Sequence, residues 1–175
     1  MILDTYPELH DRRRLLALAQ VGVDRLQERP FLTEIVESVS GRLDTPFAVI
    51  SVLLDGAQVF LAGCGPIPEW IGEAGGTPIE WAFCLPMLRS RTPWFVGDFA
   101  LDPAYRDNPL VTVEGVRSYI GAPLITSGGD VVGGLCGLDV RPRNFDAGQL
   151  RDLQDLADEA VRRIEAQAEP AIMEL

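Results

Sequence analysis

Three cysteines, one histidine and a run of carboxylates are the groups with which this sequence could do chemistry. Cys84 lies in Trp-Ala-Phe-Cys-Leu-Pro, an apolar setting that desolvates a thiol, raises its pKa and makes it inert. The expectation is a small buried hydrophobe, against a competing reading as a pocket-lining or reactive thiol. Cys136 sits in a glycine-rich strand and reads as core, while Cys64, flanked by glycines on a loop, is expected to be the most exposed. A redox pair among the three stays open. His10 falls among Asp and Arg and is expected at the surface; a His/Cys zinc site lacks ligands at any recognisable spacing. Asp98, Asp102, Asp107 and Glu114 share one loop region. Paired carboxylates can do acid–base work, but Asp and Asn also hold turns by bonding their own backbone, and the turn role is expected here. Arg117 opens a central strand and can pair with Asp98 or Asp102, or bind a carboxylate or phosphate of a ligand; structural pairing is expected. Trp81, Phe83, Trp94, Phe95, Tyr105 and Tyr119 can line a pocket or fill a core. No P-loop or dinucleotide glycine pattern is present.

The elements that must position these groups follow from period and punctuation. The most organised stretch is Val116 to Val140, two long strands joined at Ser127-Gly128-Gly129, with the composition of a sheet centre. Its glycines from Gly133 to Gly137 mark close approach of either a helix or a ligand, the helix being the expected neighbour. Pro46 opens a strand from Phe47 to Leu54, Asp55-Gly56 is a hairpin signal, and Ala57 to Ala62 is the return strand. Thr5-x-x-Glu8 is a capping box with Pro7 in the first turn. One helix is therefore expected from about Tyr6 to Gln27, with Leu9, Leu15, Leu16, Ala19, Val23 and Leu26 as a broken apolar stripe that Gly22 weakens. Arg29-Pro30 interrupts it, and a second helix runs from about Pro30 to Leu43, with Phe31, Leu32, Ile35, Val36, Val39 and Leu43 on one face.

Cys64 to Gly76 reads as a loop that packs down through Trp70 and Ile71. Pro78 to Arg89 fits a short helix kinked or begun near Pro86, Trp94 to Val96 a brief strand, and Asp98 to Leu110 irregular chain or a single helical turn. Asp146-x-x-Gln149 is a second capping box, and Phe145 with Leu150 can staple a helix reaching about Glu165. Antiparallel strands with helices at both ends of the chain describe an α+β domain. The terminal helices are expected on one face of the sheet, and the loops and short helices between Cys64 and Val116 on the other.

The chain has 175 residues, 47% hydrophobic and 23% charged, with a net charge of −11. That length supports one domain with a core that needs no disulfides. The acidic balance argues against nucleic acid and anionic membrane surfaces as partners. The longest apolar run, Pro46 to Leu54, is too short for a bilayer helix, and the N-terminus lacks a signal-type apolar segment. A cytoplasmic protein with free thiols is expected.

Several of these stretches, taken in order, resemble a known family. Thr45-Pro46-Phe47-Ala48-Val49-Ile50-Ser51 is followed by Phe83-Cys84, Val96-Gly97-Asp98, Asp102-Pro103 and Asn108-Pro109-Leu110-Val111. Then come Val116-Arg117-Ser118-Tyr119-Ile120-Gly121-Ala122-Pro123-Leu124, Gly134-Leu135-Cys136-Gly137-Leu138-Asp139 and Arg141-Pro142-Arg143. From roughly Pro30 to Glu165 the chain resembles a GAF domain, the small-molecule-sensing module related in fold to PAS, and in particular the subgroup found before histidine kinases and diguanylate cyclases. The resemblance implies a GAF/PAS-like central antiparallel sheet of about five or six strands, a pocket between the sheet and the loops from Trp70 to Leu110, and terminal helices that pair two protomers into a homodimer.

On that footing residues 1–29 form an N-terminal helix, 30–165 the domain and 166–175 a tail. Trp81, Phe83, Cys84, Asp98, Tyr105, Arg117, Tyr119 and Cys136 are the ligand-pocket candidates, with no catalytic and no metal-binding residue assigned. The expected role is a non-catalytic sensor or interaction module for an unknown small molecule, signalling through a separate partner. Bilin attachment is disfavoured because Cys84 is followed by Leu85 and not by histidine, and haem because His10 is the only imidazole. Two alternatives are a cysteine-dependent reductase of free methionine sulfoxide, as in one enzymatic branch, and a ligand-free scaffold for protein–protein contact.

Overall fold

The computed structural model describes residues 5–22 and 30–167. Its centre is a six-stranded sheet of β1 (Phe47–Leu53), β2 (Ala57–Cys64), β3 (Gly76–Pro78), β4 (Trp94–Val96), β5 (Ser118–Ile125) and β6 (Val131–Asp139). The order across the sheet is β3-β2-β1-β6-β5-β4, and every neighbouring pair is antiparallel. The two hairpins are those expected. Asp55-Gly56 turns β1 into β2, and the turn between β5 and β6 places Gly129 at φ 90°, which suits glycine. β6 and β1 pair at the middle of the sheet, so Val49 faces Cys136 and Ser51 faces Gly134.

The helices are α1 (Arg12–Val21), α2 (Pro30–Leu43), α3 (Glu69–Ala74), α4 (Met87–Ser90), α5 (Pro109–Thr112) and α6 (Ala147–Gln167). On α2 the whole expected stripe, Phe31, Leu32, Ile35, Val36, Val39 and Leu43, is buried. α6 opens with the reciprocal capping box. The Gln149 amide donates to Asp146 Oδ1 at 2.8 Å, and the Asp146 amide donates to Gln149 Oε1 at 2.9 Å. These helices pack with Ile50, Val52, Ile120, Leu124 and Leu135 into the core on one side of the sheet. The other side carries a second core built from Val49, Tyr119 and Cys136 of the sheet and from Ile79 to Leu88, Phe99 and Val111 of the connecting segments. The α+β architecture, with terminal helices on one face and loops plus short helices on the other, is as the resemblance implied.

Three local expectations are corrected. The N-terminal helix from Tyr6 is broken. A 3₁₀ turn, Pro7–His10, comes first, and α1 starts only after Asp11, whose carboxylate accepts from the Arg13 and Arg14 amides. The capping role falls to Asp11, because Glu8 is engaged by Arg89 at 2.7 Å. The new start rotates the buried face. Arg14, Ala17, Leu18 and Val21 point inward while Leu15 and Leu16 stay exposed. Buried Arg14 is satisfied by the carbonyls of Leu53 (2.7 Å), Leu9 (3.2 Å) and Glu8 (3.1 Å), which ties the N-terminal segment to the end of β1. Gly22 ends α1 at φ 67°, a left-handed cap. The expected continuation to Gln27, the break at Arg29 and the tail beyond Gln167 lie outside the described residues.

The second correction concerns Cys64 to Gly76. This stretch is not all loop, since it holds the end of β2 and α3, and it leads into β3. Six residues are too few to show a helical period. Ile71 packs down as expected, but Trp70 remains 45% exposed. Third, in Pro78 to Arg89 the helix α4 begins after Pro86 as expected, but the part before it holds a separate 3₁₀ turn, Ile79–Trp81, with an extended break at Ala82.

Candidate functional site

A cavity of about 230 Å³ opens on the loop side of the sheet. Its floor is Phe47 and Val49 of β1, Gln58 and Phe60 of β2, Tyr119 of β5, and Cys136 and Leu138 of β6. One lip is Pro66 to Pro68 and Ile71, the other Leu110, Glu114 and Val116, and Phe83 and Cys84 complete the wall. Across the mouth the Trp70 indole donates to Glu114 Oε1 at 2.8 Å.

Of the residues singled out in the sequence, Phe83, Cys84, Tyr119 and Cys136 line this cavity. Tyr105 stands behind them, 5.9 Å from the Phe83 ring, in a cluster where Phe83 stacks on Phe99 at 4.2 Å and Tyr119 meets Trp94 at 5.9 Å. Burial pushes the Tyr105 hydroxyl up to about 12. Trp81 lies toward the rim, edge-on to Trp70 at 5.8 Å. Phe95 is on the opposite face of the sheet against Phe145.

Asp98 and Arg117 are placed together, away from the cavity wall. The guanidinium grips the carboxylate through two bonds, at 2.8 and 2.7 Å. This bidentate pairing holds the Asp98 carboxyl below its ordinary range. Asp98 also accepts from the Ala100 amide, Asp102 from Ala104 and Asn108 from Leu110. These carboxylates and this amide hold turns. Among the described residues no group of three His, Cys, Asp or Glu is placed to hold a metal ion.

The interior of the cavity is apolar except for one network. Ser51 donates to Gln58 Oε1, and Gln58 donates to Thr77 Oγ1, each at 3.1 Å. Cys84 Sγ lies 3.3 Å from the Tyr119 hydroxyl and 3.9 Å from Gln58 Oε1. Cys84 is buried as expected, but the expected direction of its pKa shift is corrected. The neighbouring Cys136 thiol holds Cys84 below its ordinary range, against the opposing effect of burial, and Tyr119 and Ser51 add to the lowering. The same thiol contact, with burial, pushes Cys136 up, and burial raises Tyr119 further. Cys64 is half-buried on the other side of the sheet, donating to the Val36 carbonyl at 3.5 Å.

Sequence reasoning placed Glu114 only among the turn carboxylates and Ile71 only as packing, and missed Gln58, Phe60, Ile67, Leu110 and Leu138 as cavity residues. One signal was available. Gln58 is the only amide side chain in a strand of otherwise apolar and small residues, and a buried polar group there has to meet partners.

The fold is an α+β domain with a cavity on one face of its sheet, and comparison with known proteins names the family. Residues 28–164 match the GAF domain model, and the chain belongs to the GAF domain family. A cyclic di-GMP phosphodiesterase of Pseudomonas aeruginosa is 34% identical over 148 residues, which cover 82% of this chain and 23% of that protein. The blue-light absorbing form of the PixJ GAF domain from Thermosynechococcus elongatus superposes with a TM-score of 0.64 at 16% identity, covering 81% of this chain and 85% of that one. The type II free methionine-R-sulfoxide reductase of Thermoplasma acidophilum does so with a TM-score of 0.64 at 14% identity, covering 81% and 96%. At these identities the structural likeness is one of fold.

The expectation that the chain is not an enzyme is overturned by the curated relative, which is named as one. The chain spans about a quarter of that relative's length. Among the described residues, no helix is long and apolar enough to cross a membrane.

Proposed function

We propose that this GAF domain senses a small, largely apolar molecule without phosphate, bound in the cavity between the sheet and the 66–71 and 110–116 lips. The observation that carries this reading is the cavity lining, which includes Glu114 but no Lys, Arg or His. A phosphate ligand would bring its charge into a space with no cation to meet it. Its volume of about 230 Å³ corresponds to roughly eight waters, which limits the occupant to on the order of ten non-hydrogen atoms. A cyclic dinucleotide does not fit. Gln58, the Cys84–Tyr119 pair and Glu114 are the polar groups able to orient a hydrogen-bond donor on the ligand.

Isothermal titration with indole, a neutral bicyclic molecule with one N–H donor, tests the class. Saturable binding is expected, and Ile67→Trp, which fills one lip, should weaken it at least about tenfold while the thermal midpoint stays near wild type. Failure of indole to bind at roughly millimolar concentration, or its displacement by cyclic di-GMP, would sink the proposal.

The route to the terminal helices supports a sensing role. The β5–β6 turn touches both of them. On α6, Glu165 accepts from the Ser127 amide at 2.9 Å and from the Ser127 hydroxyl at 2.5 Å. On α1, Arg13 donates to the Gly128 carbonyl and pairs with Asp130 at 3.3 Å. Since β6 also carries Cys136 into the cavity, one hairpin joins the ligand's floor to both helices. The same helices are proposed to pair two protomers. Spin labels at exposed Asp155 on α6 (Asp155→Cys) should give an inter-protomer distance that indole shifts and that Glu165→Ala makes insensitive to indole. Absence of any inter-protomer signal rules out this dimer, and an unchanged response in Glu165→Ala rules out this route.

A further inference from the structure

Cys84 and Cys136 are distant in sequence, yet both line the cavity, and Cys84 Sγ rests against Gly134, the residue two before Cys136 on β6. Three arrangements produce this meeting. Cys136 is fixed in β6, between β1 and β5, with its Sγ 3.5 Å from the Val49 carbonyl. Gly134, two residues earlier on the same face, has no side chain. A Cβ there would fall 2.8 Å from Cys84 Sγ and 3.3 Å from Cys84 Cβ, so Cys84 rests on the sheet where a side chain would otherwise stand. Tyr119 reaches the same sulfur by lying over Gly121, where a Cβ would fall 2.0 Å from the tyrosine hydroxyl. Two glycines thus clear the floor for a thiol pair and a phenol. Cys64 is on the far side of the sheet and takes no part.

We propose that Cys84 and Cys136 form a peroxide-oxidisable dithiol, with Cys84 as the attacking sulfur and Cys136 as the resolving one. The cavity supplies the approach, passing exposed Pro66 and half-buried Glu114. In the first step the Cys84 thiolate attacks one oxygen of hydrogen peroxide. The O–O bond breaks, the departing hydroxide takes up a proton as water, and Cys84 becomes a sulfenic acid. In the second step the Cys136 thiol gives up its proton and its sulfur attacks the Cys84 sulfur. The S–S bond forms, the S–O bond breaks, and hydroxide leaves with that proton as a second water. Two thiols and one peroxide become one disulfide and two waters. The sulfurs are oxidised and the peroxide is reduced.

The roles follow from the surroundings. The Tyr119 hydroxyl, 3.3 Å from Cys84 Sγ, can donate to a thiolate there, whereas the Cys136 thiol donates to the Val49 carbonyl at 3.5 Å and keeps its proton. The S–S bond is about 2.05 Å long, so one sulfur must advance on the other. Cys84 can do so because it sits between a 3₁₀ turn and α4, outside the sheet.

The test is thiol counting on the intact protein. After hydrogen peroxide, denaturation and N-ethylmaleimide, mass spectrometry should find one alkylated thiol in place of the three free cysteines. The unalkylated mass should be lower by two hydrogens, and digestion should yield a linked Cys84–Cys136 peptide pair that dithiothreitol releases. Cys64→Ser protein should form the same link. Cys136→Ser should stall with Cys84 as a dimedone-reactive sulfenic acid. Three alkylatable thiols after peroxide, a disulfide that includes Cys64, or an over-oxidised Cys84 with no link would overturn the proposal.

Discussion

Gly133→Ala is expected to destabilise the fold by at least about 3 kcal/mol, at the upper end of what over-packing a core costs. The reason is the identity of the atoms in the way. A Cβ at this position falls 1.9 Å from the Ser51 carbonyl oxygen and 2.8 Å from Val52 Cα. Both belong to the backbone of β1, the strand that pairs Val52 with Gly133 at the centre of the sheet. A side chain in the way could rotate, but a carbonyl in a ladder cannot move without loss of its hydrogen bonds. β1 and β6 would have to separate, and with them Val49 and Cys136, the paired residues that floor the cavity. For a domain of this size the expected fall in thermal midpoint is roughly 6–12 °C, accompanied by loss of indole binding. Gly41→Ala is the control. It lies inside α2 with nothing within 4 Å of the new Cβ, and should stabilise by about 0.5–1 kcal/mol through helix propensity. A Gly133→Ala protein as stable as wild type would mean that the two central strands do not pair in this register.

That contrast also bears on what the sequence made legible. α2 was readable in full because it is long and amphipathic, so six apolar residues at helical spacing name both the element and its buried face. The capping box at Asp146 and the Asp55-Gly56 hairpin were readable because each is a local motif with its own hydrogen-bond logic. α3 and β3 were not. A six-residue helix has no measurable period, and Gly76-Thr77-Pro78 has no strand propensity of its own. It is a strand because Gln58 pairs with Thr77 and binds its hydroxyl. The phase of α1 was misread because Thr5 and Glu8 look like a cap, whereas Asp11 supplies it and Arg14 turns inward toward three carbonyls.

At the site, the Asp98–Arg117 pairing could be inferred from charge and position alone. The cavity floor could not, because β1 is buried on both faces, and an unbroken apolar run does not reveal which alternate residues face the ligand. Glycines at 121 and 134 were visible, but only the fold shows that Tyr119 occupies the space at the first, and Cys84 together with Met87 of α4 the space at the second.

Asp139→Asn is expected to cost about 3 kcal/mol at neutral pH, the low end for breaking a buried ion pair. Asp139 is 1% exposed at the end of β6 and accepts from Arg143 at 2.9 Å and Arg141 at 3.3 Å. Arg143 continues past it to the Leu43 carbonyl at 2.8 Å and the Asp44 carbonyl at 2.6 Å. It therefore binds the C-terminal end of α2, where a cation also meets the negative end of the helix dipole. Loss of the Asp139 charge leaves that guanidinium half-satisfied and loosens the joint between α2 and the sheet. The cost stays at the low end because Arg143 is 19% and Arg141 68% exposed, so water replaces part of what is lost. Burial alone would push the Asp139 carboxyl up, but the two arginines outweigh it and hold the carboxyl below its ordinary value. A carboxyl depressed in the folded state stabilises fully above its unfolded pKa, near about 4, and that stabilisation disappears as pH falls through the lower folded value. The gap in unfolding free energy between wild type and Asp139→Asn should therefore be constant from neutral pH down to about pH 5 and shrink below about pH 4. Urea titrations across this range measure it directly. A gap that does not depend on pH would assign the loss to packing or to the altered hydrogen bond, and would remove the charge of Asp139 from the forces that hold α2 against the sheet.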